Sequence, residues 1–335
     1  MLAMALLAGC DRPVPGEDPE ARGVLALEGG LIFTSAMADP IEDGVIVILD
    51  GVIEAVGPRG QVRIPPAARR VPISGLSVVP GLWNADVGLP DQLLEMADAA
   101  TDEELTEALE ERFTRHGFTT IVETSQGAGA LTSLIERIEA GGVVGPRIIA
   151  LGSSLPAGIE RTRGGAGPTG AGMAGTQAGA SEGLGSEVIA ARAADLADRG
   201  IGLIPALTRA GYPEGGATPE EADRRRESAL EEVLAFHVLG GDLVFGTGSG
   251  YVPQYDPSTD YMLLDDIGVS PEGVFAALTW IPAVRFGHDY TGLIEPGMVA
   301  DLVVIEGDPL ADPSAYSLVR WVLKEGVTMF NLLGR

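Results

Sequence analysis

A few carboxylates and three imidazoles are the side chains from which a reaction centre could be assembled. Asp86 stands in Leu82–Leu89, directly after the Pro80-Gly81 pair, where small or apolar residues alternate with Asn84, Asp86 and Gly88. That alternation fits a buried strand whose alternate side chains face one side. Glu123 closes a second apolar run, Gly117–Glu123. Asp86 and Glu123, with Asp242 or Asp260, would form an oxygen-only cluster, a donor set that suits Mg²⁺, Ca²⁺ or Mn²⁺ better than Zn²⁺. The same carboxylates could instead share a proton and act as acid and base without a metal. The imidazoles are placed less favourably. His116 precedes Gly117 at a helix end, His237 lies late in a helix that starts at Thr218, and His288 follows a helix through Ala283. All three read as surface or packed helix-end residues rather than ligands. Ser249 has no His in a matching motif context, so a nucleophilic triad is not supported.

The chain that must position these groups has 335 residues, 45% of them hydrophobic, enough for one barrel-sized domain or two ordinary ones. A net charge of −26 argues against nucleic acid or an anionic membrane surface as partner. The charge is not arranged in blocks and reads as a solvated acidic surface. Lys324 is the only lysine, and Cys10 the only cysteine, so no intrachain disulfide can form. Cys10 ends the apolar run Met1–Cys10, and Leu7-Ala8-Gly9-Cys10 resembles a bacterial lipobox. That resemblance implies an exported, lipid-anchored chain in the periplasm, lipidated at Cys10, with residues 1–22 as signal and tether. Asp11 after the cysteine favours the inner membrane. No other run is long and apolar enough to cross a bilayer.

From Val24 onward short β-type runs alternate with turn residues. Asp50-Gly51 between Val45–Leu49 and Val52–Val56 is a hairpin signal. Pro90–Gly117 is helical, with Thr101 and Glu104 in capping-box spacing and Leu105, Leu109 and Phe113 on one face. A short helix spans Leu131–Ala140, Gly145–Gly152 reads as a strand, and a helix starting at Ser186 runs to about Arg199. Ile201–Leu207 is a strand. Thr218-Pro219-Glu220-Glu221 opens a helix that runs to Leu239, and Ser270-Pro271-Glu272 opens another. The Gly- and Ala-rich stretch 163–185 has too few apolar groups to offset its ordering entropy and reads as a flexible loop. Without a lysine or a fixed glycine spacing it is no phosphate cradle.

Several of these segments, in this order, resemble the amidohydrolase superfamily of metal-dependent hydrolases, in its imidazolonepropionase- and prolidase-like periplasmic branch. Val78–Pro90 resembles the family's first barrel strand, PGL/F-(D/N)-x-His-x-His. Gly117–Glu123 resembles the second, Gly145–Gly152 the third, and Ile201–Leu207 a late one. Asp242–Gly250 resembles the last strand, GTD-x-G, and Gly292–Ile305 resembles G-x-I-x-PG-x-x-ADLVV. The resemblance implies a (β/α) TIM-like barrel over residues 80–290. It also implies a small β-sandwich, a composite domain formed by both chain ends, from 23–79 and 291–335. A complete barrel takes roughly 250 residues. This one is shorter, and three middle strands find no counterpart, so the expected barrel is partial or distorted. A homo-oligomer or protein partner would then cover its exposed edge.

The resemblance also implies where a metal would sit. The two His of the family's first strand fall on Asp86 and Gly88, and the Asp of its last strand falls on Gly248. A carboxylated lysine is excluded because Lys324 lies in the terminal segment. The implied ancestry is hydrolysis of C–N bonds in amide or dipeptide-like substrates. The replaced ligands lead us to expect a pseudoenzyme with no cofactor, and no residue stands out as catalytic or metal-binding. The alternative is an active hydrolase with an atypical site built on Asp86 and Glu123. It would take a divalent metal, Zn or Mn, only if such a site exists.

Overall fold

The structure, a computed structural model, describes residues 23–125, 128–152, 154–162, 185–213 and 217–333. The expected tether, Cys10 and nearly all of the Gly-rich stretch lie outside them.

The chain opens with β1 (Leu25–Ile32), β2 (Ile41–Leu49), β3 (Val52–Pro58), β4 (Arg69–Pro72) and β5 (Leu76–Pro80). The β2–β3 hairpin turns at Asp50-Gly51, both at positive φ, as the sequence leads one to expect. β6 (Leu82–Val87) follows with a single glycine between. Then come α1 (Asp91–Ala99), α2 (Asp102–Arg112), β7 (Phe118–Glu123), α3 (Thr132–Glu139), β8 (Arg147–Ala150) and β9 (Ile159–Arg161). The helix expected over Pro90–Gly117 is thus broken at Ala100–Thr101. Thr101 makes the capping box with Glu104 and starts α2 afresh. Next are α4 (Ser186–Asp198), β10 (Gly202–Ile204), α5 (Leu207–Ala210), α6 (Pro219–Val238), α7 (Ser258–Asp266), α8 (Pro271–Leu278) and α9 (Trp280–Arg285). α6 starts as its sequence predicts, with a capping box between Thr218 and Glu221 and proline in the first turn.

The chain ends with β11 (Leu302–Glu306), β12 (Val319–Lys324) and β13 (Val327–Asn331). They join the first strands in one eight-stranded sheet, ordered β13-β12-β11-β5-β1-β2-β3, with β4 beside β1. Both chain ends build it, as expected. However, it is one hydrogen-bonded sheet rather than the two of the expected sandwich, because β5 pairs with β1 on one side and β11 on the other. Period-two alternation gives it two buried faces. Leu302 and Val304 enter a core with Leu27, Ile46, Val78 and Trp321, while Val303 and Ile305 pack against the rest of the molecule.

The second half is an α/β layer. β6 pairs in parallel with β7, and β7 with β8. Every residue of β6 and β7 is buried, the signature of parallel strands covered on both sides. On the other flank of β6 runs 242–249, joined by Ala85 N to Phe245 O (2.7 Å), Gly248 N to Asp86 O (2.9 Å) and Gly88 N to Ser249 O (2.8 Å). Leu203 N then bonds Asp242 O at 3.0 Å, and β10 pairs in parallel with β9. The spatial order is therefore β8-β7-β6-(242–249)-β10-β9. Among the described residues no pairing joins β8 to β9, so the layer is open there. β9 was not expected: three residues are too few to show a period.

The two halves meet at Gly81. Its N–H donates to Asp301 O (2.7 Å), and a Cβ there would stand 2.2 Å from Thr119 Oγ1. Gly81→Ala is expected to overpack this joint and to cost about 1–3 kcal/mol. Urea unfolding reads the loss, and an unchanged midpoint would show that the joint yields.

Candidate functional site

The C-terminal ends of the parallel strands bring Asp86, Thr124, Arg161, Arg209 and Tyr251 together. Asp86 faces inward from β6 and is fully buried. Its Oδ1 accepts from Arg161 Nε at 3.0 Å, Arg161 Nη2 at 2.7 Å and Thr124 Oγ1 at 2.9 Å. Arg209 Nη1 lies 3.7 Å from Oδ2, an ion-pair contact too long for a hydrogen bond. The Arg209 guanidinium sits 3.7 Å from the centroid of the Tyr251 ring, close enough for a cation–π contact. Tyr251 Oη closes the ring of contacts, 3.0 Å from Thr124 Oγ1.

Each member is held by its own element. Arg161 ends β9, and Arg192 of α4 grips its carbonyl with Nη2 at 3.0 Å while also bonding Glu160. Arg209 lies on α5, a single turn that cannot stand alone. Ala206 starts that turn at φ +44°, a left-handed geometry costing a non-glycine residue roughly 1 kcal/mol. Asp260 on α7 caps the turn, accepting from Thr208 N at 3.0 Å and Thr208 Oγ1 at 2.6 Å.

The charges respond to this setting. Burial alone would weaken the hold of the Arg161 guanidinium on its proton. The charge and hydrogen bonds of Asp86 overcome it and leave the pKa above the ordinary value. Burial pushes the Tyr251 phenol up, against the hydrogen bond from Thr124.

The sequence-predicted positions are filled rather than vacant. Gly248 has φ +71°, and a Cβ there would lie 2.5 Å from Arg209 Cδ. Gly88 faces the Tyr251 ring, 3.2 Å from where a Cβ would be. The Arg209 stem and the Tyr251 ring thus occupy the space into which side chains at these positions would project. The oxygen-only cluster does not assemble. Glu123 lies at the end of β7, but its Oε1 accepts from Leu89 N at 3.3 Å and from Ser125 N at 2.8 Å. Asp242 starts its segment, at the other end from Gly248, and pairs with Arg285 Nη2 at 2.5 Å. Asp260 is spent on Thr208. Among the described residues no group of three or more His, Cys, Asp or Glu side chains could hold a metal ion. The donor set around Asp86 contains two guanidiniums, and a third cation does not fit it.

The histidines stay outside. His116 ends a 3₁₀ turn, and burial lowers its pKa. His237 packs near Gly273. His288 Nδ1 meets Tyr290 Oη at 2.6 Å and lies edge-on to Trp83. Ser249 bonds Thr247, which is bound in turn by Asn84. Sequence reasoning did not find Arg161, Arg209, Thr124 or Tyr251. The one available signal was Asp86 itself, because a carboxylate in a buried strand demands a cationic or hydrogen-bonding partner.

With this geometry in hand, the class of fold can be stated. The arrangement is that of amidohydrolase and prolidase structures. A Bifidobacterium longum protein designated a prolidase superposes with a TM-score of 0.66 at 20% identity, covering 92% of this chain and 94% of its own. A structure described as an amidohydrolase gives 0.61 at 18%, covering 92% and 99%. Molinate hydrolase gives 0.62 at 18%, covering 93% and 95%. At these identities the likeness is one of fold. No family model matches the sequence, and no curated protein matches it.

Asp260 generates a test of the brace behind Arg209. Burial raises its pKa from 3.8 to about 6, against the hydrogen bonds from Thr208. The folded state therefore binds this proton more tightly than the unfolded one. The resulting penalty is absent below the unfolded value, grows as pH rises, and is complete above about pH 6, on the order of 3 kcal/mol. Asp260→Asn should gain stability relative to the parent as pH rises from about 4 to about 7. Urea unfolding across that range reads the difference; parallel curves would show that the carboxylate is not strained by burial.

Proposed function

We propose that this chain is an amidohydrolase-fold protein that has given up metal-centred hydrolysis, and that it acts as a binding or scaffolding lipoprotein at the membrane. The observation that supports this most directly is Asp86 lying between Arg161 and Arg209. Hydrolysis of an unactivated amide needs a Lewis acid or a polarised water, and a metal supplies both in hydrolases of this kind. Here the strand-end carboxylate neutralises arginines instead, and Gly248 leaves no carboxylate to act as base. Nor is a metal-free carboxylate pair available, because both Asp86 and Glu123 spend oxygens on fixed internal donors.

The test is metal content and turnover of the folded protein, expressed with Zn²⁺, Mn²⁺ and Mg²⁺ available. The expected outcome is sub-stoichiometric metal and no hydrolysis of Xaa-Pro dipeptides or simple amides. Asp86→Ala should instead cost about 3–5 kcal/mol of stability, because it removes the counter-charge that the buried Arg209 and the part-buried Arg161 share. Near-stoichiometric metal that is lost in Asp86→Ala, with turnover lost alongside, would overturn the reading.

The membrane tether rests on Leu7–Cys10. Among the described residues no helix is long and apolar enough to cross a membrane. Metabolic labelling with palmitate in a bacterial host should mark the full chain and not its Cys10→Ser variant. Unlabelled full chain found only in the soluble fraction would remove the tether.

A further inference from the structure

A pocket of about 770 Å³ lies between α3 with β8 and the C-terminal strands, and shares no lining residue with the Asp86 cluster. α3 and the segment from Gly141 to Ile149 form one wall, and β12–β13 with Tyr290 form the other. The lining combines apolar side chains, Ile138, Val144, Ile148 and Met329 among them, with the charged Glu139, Arg147 and Glu325. Into this lining comes Lys324, the only lysine of the chain. Its Nζ donates to Gly145 O at 2.7 Å, which fixes the amine at the wall.

The surrounding charges matter for what that amine can do. Two of the carboxylates that bear on Lys324, those of Asp301 and Glu325, are taken by Arg147, at 2.7 Å and 2.9 Å. Among the described residues no carboxylate comes within ion-pair distance of Nζ. Burial lowers the amine's pKa, and the Arg147 charge adds to this, opposed by Glu325, Asp301 and Glu139. A desolvated amine with less of its population protonated is the state in which a lysine is nucleophilic.

We propose that Lys324 is a carbonyl-reactive amine and that this pocket takes apolar aldehydes. The Nζ lone pair adds to the carbonyl carbon, and the C=O π pair moves to oxygen, which takes up the proton given up by nitrogen. The carbinolamine then loses its hydroxyl together with the remaining N–H proton as one water, leaving the C=N bond of an imine. Hydrolysis reverses both steps, so no oxidant or reductant is required. The apolar part of the wall, from Ile138 to Ile148, takes up the aldehyde's chain.

The experiment uses the full chain, hexanal as probe and sodium cyanoborohydride to reduce the imine, at neutral pH, with the adduct mapped by mass spectrometry. One hexyl group on Lys324, saturating with hexanal concentration, is the expected result. Lys324→Arg should lose the internal adduct. Ile148→Trp, which adds bulk to the lining and leaves Lys324 in place, should lose it while the circular dichroism of the fold is kept. A Lys324 adduct that forms only in urea, equal labelling by the polar glycolaldehyde, or an adduct unaffected by Ile148→Trp in a folded variant would each overturn the proposal.

Discussion

Burying Asp86 at the end of a central parallel strand is the constraint from which the rest of the site follows. An isolated carboxylate in such a place loses several kcal/mol of hydration, and its neighbours must return it. Thr124 returns part through one hydrogen bond. Arg161 returns more, with Nε and Nη2 both on Oδ1. Each guanidinium needs placing in turn. Arg161 must sit at a strand end within reach of β6, and this gives β9 a role that its three residues would not otherwise have. Arg209 must reach in from the neighbouring strand's exit, and only a chain that turns at once after β10 can deliver it.

The eight-stranded sheet is bound to this layer by a second buried charge arrangement of similar logic. Arg147 of β8 joins Thr120 of β7 to Asp301, next to β11, and to Glu325, after β12. Burial works against the guanidinium, and the two carboxylates raise its pKa above the ordinary value. One arginine thus fixes β8, the last strand on its flank, to the C-terminal strands β11 and β12. Lys324 lies next to this junction, and among the described residues no carboxylate comes within ion-pair distance of its amine.

The sequence revealed the features carried by local rules. The capping boxes at Thr101 and Thr218, the Asp50-Gly51 hairpin and the buried runs of β6 and β7 are each decided within a few residues. Gly88 and Gly248 stood out as small residues where a likeness placed ligands. What stands there instead could not be read, because Arg161 and Arg209 lie 75 and 123 positions from Asp86 in the chain and no periodicity links them. The same limit explains the sandwich that became a single sheet. Period-two patterning gives the faces of a strand but not its neighbour, and β5 accepts β1 and β11 on its two sides.

The packing around Asp86 is matched from one position to the next. Gly248 lacks a side chain where the Arg209 stem passes, and Gly88 where the Tyr251 ring lies. Ala206 bears left-handed strain at the one residue where the chain must swing α5 into position, and Asp260 caps that turn from another helix. A set of choices that agree across backbone, packing and charge is what distinguishes a sequence specifying one state from one drifting away from it. Asp86 is the counterion around which two arginines, a strained turn and the cap on that turn are arranged, and each of these holds its place only while the others hold theirs.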